Sequence, residues 1–144
     1  MFDSILVVCT GNICRSPTAE RILAKNLPAK KIRSVGLRAL VDQPADATAA
    51  DVAIRHEVSL AGHKGTQYCS AMAGEYDLIL VMENNQLEKI CASSPQVRGK
   101  IMLLGHWLGQ REIPDPYRKS REAFESVYQL IDQACKHWAE RLAG

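Results

Sequence analysis

Two residue types near the amino terminus could together do chemistry on an anion. Cys9 and Arg15 lie within the stretch ILVVCTGNICRSPTAER, residues 5–21. A cysteine thiolate is a nucleophile, and cationic surroundings favour that ionised form. The planar guanidinium of arginine matches two oxygens of a phosphoryl group. The pair therefore predicts that Cys9 attacks a phosphoryl group which Arg15 holds.

The segment from Cys9 to Arg15 connects a predicted strand, Ser4–Val8, to a predicted helix, Pro17–Leu27. Ser16 is the expected N-cap of that helix, and Pro17 is its expected first residue. Backbone N–H groups in a tight loop before a helix favour an anion, and parallel sheets bind ligands beyond the carboxyl ends of their strands. The Walker pattern GxxxxGK[ST] is absent. We therefore expect a phosphate-binding loop after the first strand, with a structural cysteine near a surface arginine as the alternative.

Cleavage of a phosphate ester also needs a proton for the departing oxygen. The turn Pro114-Asp115-Pro116-Tyr117 presents one acid between two prolines, which restrict the backbone on either side. Asp115 is therefore a candidate general acid. The alternative for this segment alone is a plain surface turn.

The elements that must position these residues alternate along the chain between buried apolar runs and amphipathic segments. Strands are predicted at Ser4–Val8, Lys31–Val35, Leu78–Met82 and Ile101–Leu104. Helices are predicted at Pro17–Leu27, Thr48–Glu57, Gln67–Glu75, Asn84–Cys91 and from about Ser120 onward, with loops over 36–47 and 105–117. The last helix has an apolar stripe: Phe124, Val127, Ile131, Cys135, Trp138 and Leu142. The alternation predicts an α/β fold with helices on both faces of a parallel sheet.

Length and composition narrow the class of protein. The 144 residues are expected to form one domain, 1–144, and the net charge of +2 gives no indication of nucleic acid or a membrane surface. The start MFDSILVVC has no signal-peptide pattern, and no apolar run reaches membrane-spanning length. Five scattered cysteines without Cys/His clusters indicate a reducing cytoplasm and no zinc.

The stretches CTGNICRS and DPY, taken together, resemble the low-molecular-weight protein tyrosine phosphatases. The segments AERILA, SLAGH, YDLILVME, RGKIMLLGHW and IPDPYRKSRE are similar to the bacterial Wzb/Etp group, which is linked to capsule and exopolysaccharide production. The resemblance implies a four-stranded parallel sheet, catalysis without metal or other cofactor, and a phosphotyrosine protein as substrate. The expected partner is a membrane tyrosine autokinase of polysaccharide export. We expect a monomer that binds no nucleic acid and does not insert into membranes.

The resemblance also implies roles for the loop residues. Cys9 would be the nucleophile that forms a cysteinyl-phosphate, and Arg15 would stabilise the transition state. Ser16 would donate its hydroxyl to the Cys9 thiolate, and Asn12 would hold the loop in a left-handed conformation. Backbone N–H groups would bind the phosphoryl oxygens along the whole loop: Thr10, Gly11, Asn12, Ile13, Cys14 and Arg15.

The residues around the substrate ring follow from the same resemblance. Asp115 would protonate the phenolic leaving group and then act as base for the hydrolytic water. Tyr117 and Leu40 would form facing walls of the slot. Some members of the family have an aromatic residue in place of Leu40, and many eukaryotic members have a second tyrosine in place of Arg118. These departures concern the substrate slot and leave the expected chemistry unchanged.

Two other functions share parts of this pattern. Arsenate reductase has the same fold and loop but needs a further closely spaced cysteine pair, whereas Cys69 and Cys91 lie on different predicted elements. A non-catalytic phosphotyrosine-binding module would be expected to lack Cys9, Arg15 or Asp115, and all three are present.

Several further side chains have two interpretations each. Cys14 either captures an oxidised Cys9 as a reducible disulfide, as its counterpart does in relatives, or packs under the loop. The basic cluster Arg118-Lys119-Arg121 either recognises an anionic substrate or is a solvated surface. His56, His63, His106 and His137 show no ligand-like spacing and are predicted to be non-catalytic.

Overall fold

The computed structural model describes residues 2–143, and its centre is a sheet of four parallel strands. These are β1 (Ser4–Cys9), β2 (Lys31–Gly36), β3 (Leu78–Val81) and β4 (Ile101–Leu103). Their order is β2-β1-β3-β4, so β1 has a hydrogen-bonded neighbour on each side. The register places Cys9 opposite Gly36. The last residue of β1 therefore lies at the carboxyl edge of the sheet, as the predicted α/β fold requires.

Helices cover both faces of the sheet, which confirms the predicted fold class. The helices are α1 (Arg15–Asn26), α2 (Ala47–Arg55), α3 (Ser70–Ala73), α4 (Asn84–Ser93) and α5 (Arg121–Leu142). Short 3₁₀ helices occupy Pro95–Lys100 and His106–Leu108. In β1, Ile5 and Val7 pack in the core with residues of α1, α2 and α5. Leu6 and Val8 point to the opposite face and pack with residues of α3 and α4.

The apolar stripe predicted for the last helix lies against the core. Phe124, Val127, Ile131, Cys135 and Trp138 are buried, and Leu142 is partly buried against them. The indole N–H of Trp138 donates to the carbonyl of Leu104, 2.8 Å away. This helix therefore closes one face of the sheet close to the chain that leads to Asp115.

The start of α1 differs from the prediction. The helix begins at Arg15, its N-cap is Cys14, and Pro17 is its third residue. Ser16 is therefore not the N-cap. Its hydroxyl lies 2.9 Å from the sulfur of Cys9, so the side chain that capping rules assign to the helix end contacts the nucleophile candidate instead.

The predicted helix Gln67–Glu75 is reduced to the single turn Ser70–Ala73. Gln67 forms a parallel bridge with Gly36, and the N–H of Tyr68 donates to the Gly36 carbonyl over 2.8 Å. These bonds hold residues 67–68 in extended backbone beside β2. The helix can therefore start only after this pairing ends.

Candidate active site

Cys9 lies at the start of a loop that curls back towards its sulfur. The residue ends β1 and is only 2% exposed. Its Sγ lies 2.9 Å from Ser16 Oγ and accepts the backbone N–H of Asn12 at 3.3 Å. In the thiolate form the sulfur can only accept, so the Ser16 hydroxyl must be the donor. The structure thus brings Cys9 and Ser16 into the contact that the family resemblance implies.

Asn12 connects the loop to the surrounding chain. It is fully buried and has a φ of 58°, which confirms the expected left-handed conformation. Its amide nitrogen donates to Ser16 Oγ at 2.8 Å and to Ser34 Oγ at 3.0 Å. Its amide oxygen accepts the N–H of Thr66 at 2.8 Å. Because Asn12 donates to the Ser16 oxygen, the hydroxyl hydrogen of Ser16 points elsewhere, and its acceptors are Cys9 Sγ at 2.9 Å and, at 3.5 Å, the Val35 carbonyl.

Two supporting residues were not predicted. His63 is buried, and its Nε2 lies 2.5 Å from the Asn12 carbonyl. Gln86 Nε2 donates to Thr10 Oγ1 at 3.2 Å, while its amide oxygen accepts the N–H groups of Met82 and Glu83. Both side chains come from distant parts of the sequence and have no local signal. The prediction of a non-catalytic His63 did not anticipate this contact with the loop.

Arg15 is the first residue of α1 and is 2% exposed. Its Nη1 donates to the Ile113 carbonyl at 2.8 Å and forms an ion pair with Glu83. Its Nη2 lies 3.7 Å from Asp115 Oδ2. Glu83 lies two residues after the end of β3, at the same edge of the sheet as Cys9. An acid directly after the predicted buried strand Leu78–Met82 was the signal that could have identified this residue.

The backbone of the loop leaves donors for a ligand. In the part of the chain that the structure describes, the N–H groups of Gly11, Ile13 and Cys14 have no hydrogen-bond acceptor. These groups belong to the loop that curls around Cys9 and leads into the N-terminus of α1, where the helix dipole favours negative charge. The loop can therefore bind a phosphoryl group beside the thiol.

The opposite side of the site is more open. Cys9, Arg15, Leu40, Asp115 and Tyr117 all line one cavity of about 260 Å³. The side chain of Asp115 is 47% exposed, and its Oδ1 accepts the N–H of Tyr117 at 3.0 Å. Leu40 and Tyr117 are also exposed. The structure thus brings together the predicted nucleophile, cationic clamp, acid and two walls.

Cys14 differs sharply from Cys9 in its surroundings. It is buried, and it lines both the catalytic cavity and a small apolar cavity next to α5. Burial raises the pKa of the Cys14 thiol far above its ordinary value, and the nearby Asp46 and Cys9 add to that rise. Cys14 is therefore a neutral thiol near pH 7.

Two arginines of the basic cluster Arg118-Lys119-Arg121 have different partners in the structure. Arg121 forms an ion pair with Asp51, which holds the pKa of that carboxyl below its usual range. The guanidinium of Arg118 lies over the Tyr117 ring, 5.3 Å from its centroid. Arg121 thus joins α5 to α2, whereas Arg118 stays at the edge of the substrate slot.

Three further observations bear on other functions. Within residues 2–143, no group of three His, Cys, Asp or Glu side chains is arranged to hold a metal ion. None of the described helices is both long and apolar enough to cross a bilayer. Cys91 is buried in α4, while Cys69 is exposed just before α3, so the two thiols stay on separate elements.

Comparisons with known proteins agree with this geometry. The family model for low molecular weight phosphotyrosine protein phosphatase matches residues 4–144. The chain is 58% identical to the low molecular weight protein-tyrosine-phosphatase Etp of Escherichia coli strain K12, over 99% of this chain and 96% of that protein. The crystal structure of the tyrosine phosphatase Wzb from Escherichia coli K30 in complex with sulphate is 60% identical, with a TM-score of 0.97 over 99% of this chain and 100% of that one. The structure of Vibrio vulnificus Wzb in complex with benzylphosphonate is 51% identical in sequence, with a TM-score of 0.96 over 99% of this chain and 100% of that one. The chain therefore belongs to the low molecular weight phosphotyrosine protein phosphatases, and the predicted protein-tyrosine-phosphatase activity is confirmed.

Proposed function

We propose that Cys9, Arg15 and Asp115 carry out the hydrolysis of phosphotyrosine in two steps. In the first, the Cys9 thiolate attacks phosphorus, the bond from phosphorus to the phenolic oxygen breaks, and Asp115 gives its proton to that oxygen. In the second, the Asp115 carboxylate takes a proton from water as the water oxygen attacks the cysteinyl-phosphate. Inorganic phosphate leaves, and the thiolate is regenerated.

One observation carries this proposal: the sulfur of Cys9 lies within a loop that supplies donors both to the sulfur and to an incoming anion. Ser16 and the Asn12 N–H stabilise the negative charge on the sulfur. Arg15 and the backbone N–H groups stabilise the phosphoryl oxygens, whose geometry changes most in the transition state. Asp115 lines the same cavity from the leaving-group side.

The proposed substrate is a phosphotyrosine protein, and the proposed partner is a membrane tyrosine autokinase of polysaccharide export. The support is the similarity to phosphatases named Etp and Wzb. One solved relative is in complex with benzylphosphonate, which carries a phenyl ring and a phosphonate, the two kinds of group that a phosphotyrosine side chain presents. We further propose that residues 1–144 act as one cytoplasmic, monomeric domain without a cofactor.

The decisive experiment measures turnover of p-nitrophenyl phosphate and of phosphotyrosine peptides, with and without EDTA. We expect hydrolysis that EDTA does not change, because no step uses a metal.

A parallel assay with arsenate, thioredoxin and thioredoxin reductase tests arsenate reduction, which we expect to be absent because Cys69 and Cys91 are on separate elements. Anion binding without turnover would instead establish a phosphotyrosine-binding module. Coexpression with candidate autokinases, followed by phosphotyrosine detection, tests the partner and has no bearing on the chemistry.

A further inference from the structure

Arg38 is a second arginine that lines the catalytic cavity, and the two-step chemistry makes no use of it. Its side chain shares the cavity with Cys9, Asp115 and Tyr117. Unlike Arg15, which is 2% exposed and bonded to Glu83, Arg38 is exposed to solvent. Within residues 2–143, its guanidinium has no ion pair or hydrogen bond with another side chain or carbonyl.

The backbone that carries Arg38 is held firmly against the phosphate-binding loop. The N–H of Arg38 donates to the Thr10 carbonyl at 2.9 Å, and the N–H of Leu40 donates to the Gly11 carbonyl at 3.0 Å. This approach depends on Gly36, where a Cβ atom would come within 2.5 Å of the Thr10 carbonyl oxygen. The segment therefore cannot move away without breaking bonds to the loop.

A glutamine clamps the same segment from the other side. Gln67 Nε2 donates to the Leu37 carbonyl at 2.9 Å, and Gln67 Oε1 accepts the Ala39 N–H at 2.9 Å. The peptide groups before and after Arg38 are thus both bonded to one amide. A fixed backbone that carries an unpaired cation at the mouth of a substrate cavity is suited to binding an anion that arrives with the substrate.

We propose that Arg38 is a specificity-determining residue that binds an anionic group next to the phosphotyrosine in the substrate protein. This inference rests on the proposed phosphotyrosine hydrolysis and deepens it. The anion can be a carboxylate of aspartate or glutamate or a second phosphate, because guanidinium binds both in a bidentate manner. Arg38 acts on substrate binding and has no part in bond cleavage.

Arg118, an exposed arginine at the edge of the substrate slot, provides a matched control. Arg118 lies over the Tyr117 ring on the leaving-group side, so its guanidinium already has an aromatic partner. Arg38 has no aromatic partner within residues 2–143 and lines the same cavity as Leu40 and Tyr117. Replacing Arg38 should therefore reduce the preference for acidic substrates more than replacing Arg118.

The test compares pairs of phosphotyrosine peptides that differ only in glutamate against glutamine at one position flanking the phosphotyrosine, scanned on both sides. The enzymes are wild type, Arg38→Gln, Arg38→Lys and Arg118→Gln. At the preferred position, we expect wild-type kcat/KM to favour glutamate by about two- to fivefold, the range of an exposed ion pair. The difference should lie mainly in KM and should shrink as salt concentration rises. A third peptide, with phosphoserine at the same flanking position, shows whether a second phosphate is preferred to a carboxylate.

Arg38→Gln should abolish this preference, Arg38→Lys should keep part of it, and Arg118→Gln should leave most of it. Each preference is the ratio of kcat/KM for the paired glutamate and glutamine peptides within one enzyme, so a change in overall turnover cancels. Hydrolysis of p-nitrophenyl phosphate shows that each variant still folds as an active phosphatase. If Arg38→Gln keeps the full glutamate preference, or if the wild type shows none, the inference is wrong while the phosphatase function stands. If wild type hydrolyses neither the peptides nor p-nitrophenyl phosphate, the proposed function itself fails.

Discussion

The loop that surrounds Cys9 and the turn that carries Asp115 meet at one cavity but are held very differently. Cys9, Asn12, Arg15 and Ser16 are almost fully buried, and their side chains bond to one another, to Ser34 or to Glu83. By contrast, the Asp115 side chain is 47% exposed, and within residues 2–143 its polar partners are the Tyr117 N–H and, at 3.7 Å, Arg15. One side of the site is therefore part of the core, and the other is part of the surface.

This difference separates two tasks of the enzyme. The phosphoryl group is the same in every substrate, so a rigid and preorganised loop is suited to it. The leaving group and its flanking residues vary, and an open wall can accept them. Changes in the loop should therefore reduce turnover of every substrate, whereas changes on the Asp115 side should have effects that depend on the substrate.

The largest effect is expected for Cys9→Ser. A serine hydroxyl does not ionise in this loop near pH 7, so attack on phosphorus should cease for all substrates. The loop N–H groups and Arg15 remain, so the variant should still bind phosphate or vanadate, measured by calorimetry. Substantial turnover by Cys9→Ser would place the nucleophile elsewhere.

Asp115→Asn should give a loss that depends on the leaving group. Positioned acid catalysis contributes about 10²–10⁴-fold, and the contribution is greatest when the departing oxygen is most basic. A series of aryl phosphates with increasing leaving-group pKa should therefore show a steeper decrease in kcat for the variant than for wild type. An equal loss across the series would exclude the general-acid role.

Substitution of Asn12 tests whether its buried hydrogen bonds maintain the conformation of the loop. Asn12→Gly retains the left-handed backbone but removes the bonds to Ser16, Ser34 and Thr66. We expect a fall in kcat of about 10–100-fold, since small misplacements of reacting groups have effects of that size. The free energy of unfolding should fall by about 1–3 kcal/mol, because Ser16, Ser34 and Thr66 each lose a hydrogen bond to Asn12.

Asn12→Ala is the matched variant for that comparison. It removes the same bonds and also disfavours the φ of 58°, so it should be less stable than Asn12→Gly by about 1 kcal/mol. Near-equal stability of the two variants in urea titrations would show that the backbone conformation contributes little.

The local sequence predicted the nucleophile side of the site better than its support. Cys9 and Arg15 lie within one strand–loop–helix segment, so residue types and spacing suffice to bring them together. His63 and Gln86 reach the loop only through the tertiary fold, and no pattern near them indicates it. Ser16 was placed wrongly as a helix cap, because capping rules describe the helix alone and omit a neighbouring sulfur.

A change at the far end of β1 should affect stability and leave catalysis unchanged. Asp77 accepts the N–H groups of Asp3 at 2.8 Å and Ser4 at 3.1 Å, and these bonds lower its pKa. Since the folded-state pKa is depressed, its stabilising contribution is present at neutral pH and is lost as pH falls through that pKa. Asp77→Ala should therefore have a lower Tm than wild type at pH 7, with the difference shrinking on acidification. The kcat of the two proteins should be the same.

Little effect on turnover is expected for Cys14→Ser, because the Cys14 thiol is neutral and takes no part in bond cleavage. Its role should appear only after oxidation. Peroxide converts Cys9 to a sulfenic acid, and the Cys14 thiol can condense with it to form a disulfide and water. Since the pKa of Cys14 is strongly raised, the thiolate is scarce, and capture should become faster with rising pH. Wild type treated with peroxide and then reductant should recover most of its activity, and more so at higher pH, whereas Cys14→Ser should recover much less. Equal recovery, with no Cys9–Cys14 peptide by mass spectrometry, would leave Cys14 as a packing residue and restrict the redox chemistry of the buried loop to Cys9.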